Sequence, residues 1–228
     1  MENNYEGILY LVPVPIGNPE DISLRALRIL KDADLLACED TRKSGILLKK
    51  LEIKNQLTSY HAYNRIKKLP ELLERLKNGE KIAIITDGGT PGISDPGADI
   101  VRSCHSEGIK VIPLSGASAL SMAMSVSGFT SNGLYFAGFL SPKKGKRRNM
   151  LAKAAVNANT VICYESPHRI RRLMEDIHSE LGDVDVVICR EMTKIHEEYL
   201  YGSVKSLLET KFTEKGEFTI VINCRKKG

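Results

Sequence analysis

The chain has 228 residues, 42% of them apolar and 27% charged, with a formal net charge of +5. That length suits one substantial core or two small ones, and the composition is that of a soluble globular protein rather than a fibrous or disordered one. No apolar run approaches a bilayer span and no basic start precedes the first apolar stretch, so neither a membrane anchor nor a secretory leader is expected. The five cysteines are scattered without CxxC spacing, which points to reduced thiols in the cytoplasm and against a disulfide framework. The five histidines form no HExxH pattern, and no structural or catalytic metal is expected.

Along the chain, ILYLVPV (8–14) predicts a strand, and Asp21 is placed to cap an amphipathic helix through ISLRALRILKD. ADLLACE (33–39) predicts a second strand, followed by a helix in RKSGILLKKLE. A weak third strand around LTSYH precedes a helix through RIKKLPELLERLKNG, with Pro70 inside it as its start or a kink. KIAIIT (81–86) and KVIPL (110–114) are clear strands, each followed by a glycine-containing loop and a helix. Strands alternating with helices imply a mainly parallel sheet. A boundary is expected in SGFTSNG, giving domains over 1–130 and 131–228. The second half repeats the α/β pattern in LYFAGFL, TVICYE, HRIRRLMEDIHSEL, DVVICRE and EFTIVINC. The predicted fold is α/β, two lobes with a cleft between them.

The densest functional signal is IAIITDGGTPGISDPG (82–97). A buried strand ends on Asp87, and glycines and prolines then shape a tight loop. Asp95 is expected as the N-cap of the next helix, with Pro96 as its first residue. Ligands of open α/β sheets bind outside the carboxyl ends of the strands, where such loops lie. Three further junctions share that end: PVPIGNPED (13–21), CEDTR (38–42) and SGASA (115–119), whose Ser118 is placed to cap a helix. Singly each reads as a turn; together they read as the floor of a small-molecule crevice. A P-loop, a GxGxxG fingerprint and a GxSxG elbow are all missing.

The positive charge is uneven. Lys143, Lys144, Lys146, Arg147 and Arg148 form one cluster, and His168, Arg169, Arg171 and Arg172 form another. Such runs are often only solvated faces, but two in one half of the chain are expected to neutralise nucleic-acid phosphates.

PIGNPEDIS, CEDTR, TDGGTPGISDPG, YESPHR (164–169), RE-x-TK (190–194) and KGEF (215–218), in this order and spacing, closely resemble the ribosomal RNA small subunit methyltransferase I family. That family is part of the tetrapyrrole methylase-like, class III S-adenosylmethionine methyltransferases, and the likeness runs from about Leu9 to Ile222. Two segments depart from the usual pattern. Thr86-Asp87-Gly88-Gly89 stands for Ser-Asp-Ala-Gly, and Ser115-Gly116-Ala117-Ser118 for Pro-Gly-Pro-Ser; both keep the small residues. Many members continue beyond the last strand, where this chain has RKKG.

The resemblance implies a two-lobed α/β homodimer that binds S-adenosylmethionine between its lobes and methylates the 2′-hydroxyl of a cytidine ribose in small-subunit ribosomal RNA. It implies a cofactor crevice lined by Pro15, Ile16, Asp87, Gly88, Gly89, Thr90, Ile93, Ser118 and Ala119, with Tyr164 and Thr193 from the second lobe. Asp87 is suited to accept from the cofactor's ammonium or ribose hydroxyls. A ribose hydroxyl must lose its proton, so a general base is expected among Glu39, Asp40, His61, Glu165 and Lys194. Arg42 is expected to hold an RNA phosphate, and Lys143, Lys144, Lys146, Arg147, Arg148 and Arg169 to contact the RNA backbone. Two alternatives stay open: methylation of a tetrapyrrole or other small acceptor, and a non-catalytic RNA-binding module.

Overall fold

The computed structural model describes residues 6–225; MENNY at the start and the last three residues of RKKG lie outside the described part. The chain divides into two compact units, one ending at Ser118 and the other beginning at Ala119.

The first unit is a five-stranded, all-parallel sheet. Its strands are β1 (Ile8–Leu11), β2 (Leu35–Cys38), β3 (Leu57–Ser59), β4 (Lys81–Ile85) and β5 (Lys110–Pro113), in the spatial order β3-β2-β4-β1-β5. Between them run α1 (Leu24–Asp32), α2 (Thr41–Lys50), α3 (Arg65–Lys77) and α4 (Ala98–Glu107). Alternate strand residues serve two cores. Tyr10, Leu36, Cys38, Ala83 and Ile85 pack with Ala26, Leu30 and Leu48 of α1 and α2. Leu9, Leu35, Ala37, Ile82 and Ile84 pack with Leu72, Leu76, Ile100 and Cys104 of α3 and α4. Burial on both faces is why these strands read as unbroken apolar runs.

Two local capping expectations are corrected here. Asp21 does not cap α1; Ser23 does, accepting from the Ala26 N–H at 3.1 Å. Asp21 instead ends a short 3₁₀ turn whose cap is Asn18. Asp95 does not cap α4 either, since that helix starts three residues later with Gly97 (φ 145°) at its cap. Pro70 lies inside α3, as its place in the sequence pattern implies, and does not start the helix. There its missing N–H costs one helical hydrogen bond.

The second unit is built on a mixed sheet in the order β6-β7-β10-β8-β9. The strands are β6 (Leu134–Phe139), β7 (Thr160–Glu165), β8 (Asp185–Arg190), β9 (Glu198–Ser203) and β10 (Phe218–Asn223). β6 and β7 are parallel, and β10 runs antiparallel to both β7 and β8. The helices are α5 (Ala119–Ser127), α6 (Lys144–Asn157), α7 (Ile170–Leu181) and α8 (Val204–Glu209). Leu151, Leu173, Met174, Ile177 and Leu207 of α6, α7 and α8 cover Val161, Cys163, Ile188 and Ile220. Because α5 lies against β10, the second unit starts ahead of the turn-rich SGFTSNG stretch.

Arg147 departs from its expected place on a basic surface: it is 3% exposed. Its Nε donates to Asp176 Oδ2 at 2.7 Å, and its Nη1 reaches the carbonyls of Pro142 and Ser141 at 3.2 and 3.4 Å. The pair ties α6 to α7 and anchors the turn ahead of α6. Removing one partner of such a pair strands the other charge in a dry site. Arg147→Ala should therefore lower unfolding stability by about 3–5 kcal/mol in denaturant titration, whereas exposed Lys146→Ala should change it by about 0.5 kcal/mol or less.

Candidate active site

With all five strands of the first sheet parallel, their carboxyl ends share one edge, and four loops close on each other there. Val14 and Gly89 form an isolated antiparallel bridge, with N–H to carbonyl bonds of 3.0 and 2.9 Å. Gly89 has φ 89°, a region side chains rarely adopt. A Cβ on Gly88 would sit 3.5 Å from the Ile16 Cα and the Pro15 carbonyl, so the two loops are in backbone contact. Thr90 Oγ1 donates to the Ala117 carbonyl at 2.8 Å, and the Ile93 N–H bonds to the Thr90 carbonyl. Gly116 lies so close to Pro13 that a Cβ would fall 2.5 Å from the proline ring. Pro15, Ile16, Gly88, Gly89, Thr90 and Ile93 are thus brought into one wall made largely of backbone. Ser118 is the last residue of this unit, and Ala119 opens α5 in the other.

Acidic side chains gather beside that wall. Asp87 follows β4 and pairs with Lys43 of α2, Nζ to Oδ2 at 2.6 Å. Burial holds the Glu39 carboxyl above its ordinary range, and the negative charge of Asp87 adds to this. Burial also pushes Asp95 up to about 6, helped by the charges of Glu39 and Asp87. Three carboxylates of one loop edge therefore feel one another, and two hold protons more tightly than usual. Asp40 is the opposite case. The Arg42 guanidinium donates to it at 3.2 and 2.9 Å and the Arg42 N–H caps α2 through it at 2.9 Å, which brings its pKa down to about 2. Such a carboxylate is a weak proton acceptor, and Arg42 is folded back onto it while remaining 88% exposed. His61 accepts the Tyr63 N–H at Nδ1, which places the neutral ring's own proton on Nε2.

The glycine-rich loops were readable from the sequence, but Lys43 and Asp95 were missed as parts of this edge. Lys43 lies 44 residues from Asp87 along the chain. Asp95 carries a local Asp-Pro signal that reads as a helix cap.

In the second unit, β10 brings three quoted motifs together: Phe218 of KGEF pairs with Glu165 on one side and Arg190 on the other. Glu165 is buried and engaged with Arg169. Tyr164 meets Phe136 and Phe139 edge-on, with ring centroids 5.0 and 5.5 Å away. Glu191 (φ 50°) and Thr193 (φ 65°) hold left-handed backbone, and a Cβ on Gly216 would strike the Glu191 side chain at 2.5 Å. Lys194 donates to Glu191 and Glu217 at 2.9 and 3.0 Å. Burial works against its charge, but those bonds prevail and raise its pKa, so it is no base. Of the expected RNA contacts, Lys143, Lys144 and Lys146 are exposed, whereas Arg148 pairs with Glu180 and Arg169 with Glu165.

The tetrapyrrole (corrin/porphyrin) methylase family model matches residues 8–208. Ribosomal RNA small subunit methyltransferase I of Thermotoga maritima is 44% identical over 224 residues, covering 96% of this chain and all of that one. Its counterpart from Synechocystis is 43% identical over 219 residues, 95% of this chain and 78% of that one. Among solved structures, a diphthine synthase aligns with a TM-score of 0.74 at 15% identity over 94% of this chain and 89% of its own. A uroporphyrin-III-C-methyltransferase from Thermus thermophilus aligns at 0.65 and 18% identity over 96% and 92%. At those identities the likeness is one of fold. With the loops closed as above and the sequence relatives spanning nearly the whole chain, it belongs to the ribosomal RNA small subunit methyltransferase I family of the tetrapyrrole methylases.

Proposed function

We propose that the protein transfers the methyl group of S-adenosylmethionine to the 2′-hydroxyl of a cytidine ribose in small-subunit ribosomal RNA, as a cytoplasmic homodimer. The cofactor supplies a methyl already activated on a sulfonium. The residues present suit such a ligand. A wall of backbone from Pro15, Ile16, Gly88, Gly89 and Thr90 admits close contact and offers polar groups, and Asp87 offers a carboxylate to its cationic end. What the chain must add is position and a proton acceptor.

The observation that carries the acceptor chemistry is the carboxylate pair Glu39 and Asp95, both held above their ordinary proton affinity at this edge. A group with a pKa near the working pH is the best compromise between being ionised and accepting a proton. The charge of Glu39 contributes to holding the proton on Asp95, so either carboxylate at this edge can serve as the acceptor. Asp40 is left with capping α2 and holding Arg42. The exposed Lys143, Lys144 and Lys146 neutralise RNA phosphates, which fixes the substrate without reading its bases.

Labelled methyl transfer to unmodified small ribosomal subunits, followed by nucleoside digestion, should yield 2′-O-methylcytidine. Label appearing instead in a tetrapyrrole precursor, or in the base, would overturn the assignment. Glu39→Gln should lower kcat by about 10²–10⁴ with cofactor affinity unchanged.

The Asp95 carboxyl binds its proton more tightly in the folded chain than in the unfolded one, so ionising it costs the fold stability. That penalty is absent below about pH 4, grows as pH rises, and is complete above about 6. Asp95→Asn should accordingly raise stability at pH 8 by about 1 kcal/mol, the side chain being partly solvated, leave it unchanged near pH 3.5, and reduce methyl transfer. Thermal melts at both pH values and the pH profile of kcat check it.

Replacing Lys143, Lys144 and Lys146 together by Ala should flatten the dependence of RNA affinity on salt by about 0.7 log units per contact while sparing cofactor binding. An unchanged slope would leave the three lysines as a solvated face.

A further inference from the structure

The turn between β3 and α3 has no part in the proton transfer argued above, yet it stands at the same edge of the first sheet. β3 lies beside β2 with Ser59 opposite Cys38, and the Tyr60 N–H bonds to the Cys38 carbonyl at 2.7 Å. Glu39 follows Cys38 directly and His61 follows Tyr60, both just past the ends of these strands, and the two side chains are near enough for His61 to act electrostatically on Glu39. The turn is firmly built. Asn64 accepts from the His61 N–H at 2.8 Å and donates to the carbonyl and hydroxyl of Ser59 at 3.1 and 2.9 Å. The Tyr63 N–H donates to His61 Nδ1, and the two rings meet edge-on with centroids 6.1 Å apart. Within this pinned turn Tyr63 is 98% exposed.

A large aromatic ring held out in solvent on a pinned turn gains nothing for the fold by its position. What it offers is a preoriented π-face, and its surroundings say to whom. Residues 53–70 carry Lys54, His61, Arg65, Lys67 and Lys68; Arg65 pairs with Asp99 and Lys68 with Glu71, so Lys54 and Lys67 are the exposed cations offered to phosphates there. A ring flanked by cations, beside a group that would take a proton from a ribose, suits an unpaired nucleotide of RNA. Unpaired bases stack on aromatic side chains, and the neighbouring cations meet their phosphates. We propose that Tyr63 is a stacking platform for an unpaired base of the RNA substrate, braced by the edge of His61. The inference rests on the proposed RNA methylation and adds to it the place where a base is held.

Tyr63→Ala should raise KM for small ribosomal subunits on the order of tenfold, with kcat and S-adenosylmethionine affinity little changed. Tyr63→Phe should restore the wild-type KM, because stacking uses the ring and not the hydroxyl. The chain contains no tryptophan, so Tyr63→Trp is a single reporter whose emission should be quenched by a single-stranded oligoribonucleotide and far less by a duplex of the same sequence. A wild-type KM in Tyr63→Ala, a Phe variant as impaired as Ala, or emission indifferent to the single strand would each overturn the platform. So would a change in sedimentation of Tyr63→Ala without loss of RNA binding, which would make the ring a contact between copies of the chain. If the wild-type protein methylates no subunit, the proposed function fails first, and the oligonucleotide titration still decides whether Tyr63 takes a base.

Discussion

The backbone bridge between Val14 and Gly89 is the contact on which the candidate site depends. Two hydrogen bonds of 3.0 and 2.9 Å clamp the loop after β1 to the loop after β4. Such a bridge needs both chains to approach without side chains between them, and it needs left-handed backbone at Gly89. Gly116 repeats the demand on the other side, where the loop after β5 lies against Pro13 with no room for a Cβ. The three loops therefore form one rigid backbone surface, and the strands that carry them are fixed by cores on both sheet faces. A precise wall thus arises from residues that contribute almost no side chain to it.

The same edge keeps a cost that the rest of the unit avoids. Asp40 has its charge satisfied by Arg42 and by a helix N-terminus, and its proton affinity falls accordingly. Glu39, one residue earlier, and Asp95 lie where burial and neighbouring carboxylates make ionisation costly, with Lys43 the cation nearest Asp87. Adjacent carboxylates in one sequence motif thereby acquire opposite properties. The difference is made by what surrounds each group, and none of it is visible in the string CEDTR.

That contrast marks how far sequence reading reaches in this chain. The βα alternation of the first unit was legible because two-sided burial makes long apolar runs, and the loop-bearing edge was legible because glycine and proline betray its loops. β9 was missed: EYLYGS mixes exposed aromatic and small residues and follows the charge-rich run 190–198, so it carries no clean alternation. Its pairing with β8 is a tertiary fact. The boundary was misplaced for a similar reason, since nothing in the small-residue run of α5 announces that it lies against β10. Asp95 was read by its local Asp-Pro context, whereas the chain turns on Gly97, whose backbone packs against Gly92.

Charge shows the same limit in another form. In the second unit five arginines are engaged within the fold, while Arg172 is exposed. Arg147 is buried on Asp176, Arg148 holds Glu180, Arg169 holds Glu165, and Arg171 holds Glu214 and two carbonyls while lying over Phe212. Arg190 is bound to the carbonyls of Lys215 and His196. The planar guanidinium suits such work because one group meets several acceptors at fixed angles. Lys143, Lys144 and Lys146 remain exposed beside Arg147. Net charge therefore overstates the exposed basic surface. The cluster divides by residue type, its arginines fastening the turn and helix from which its lysines project.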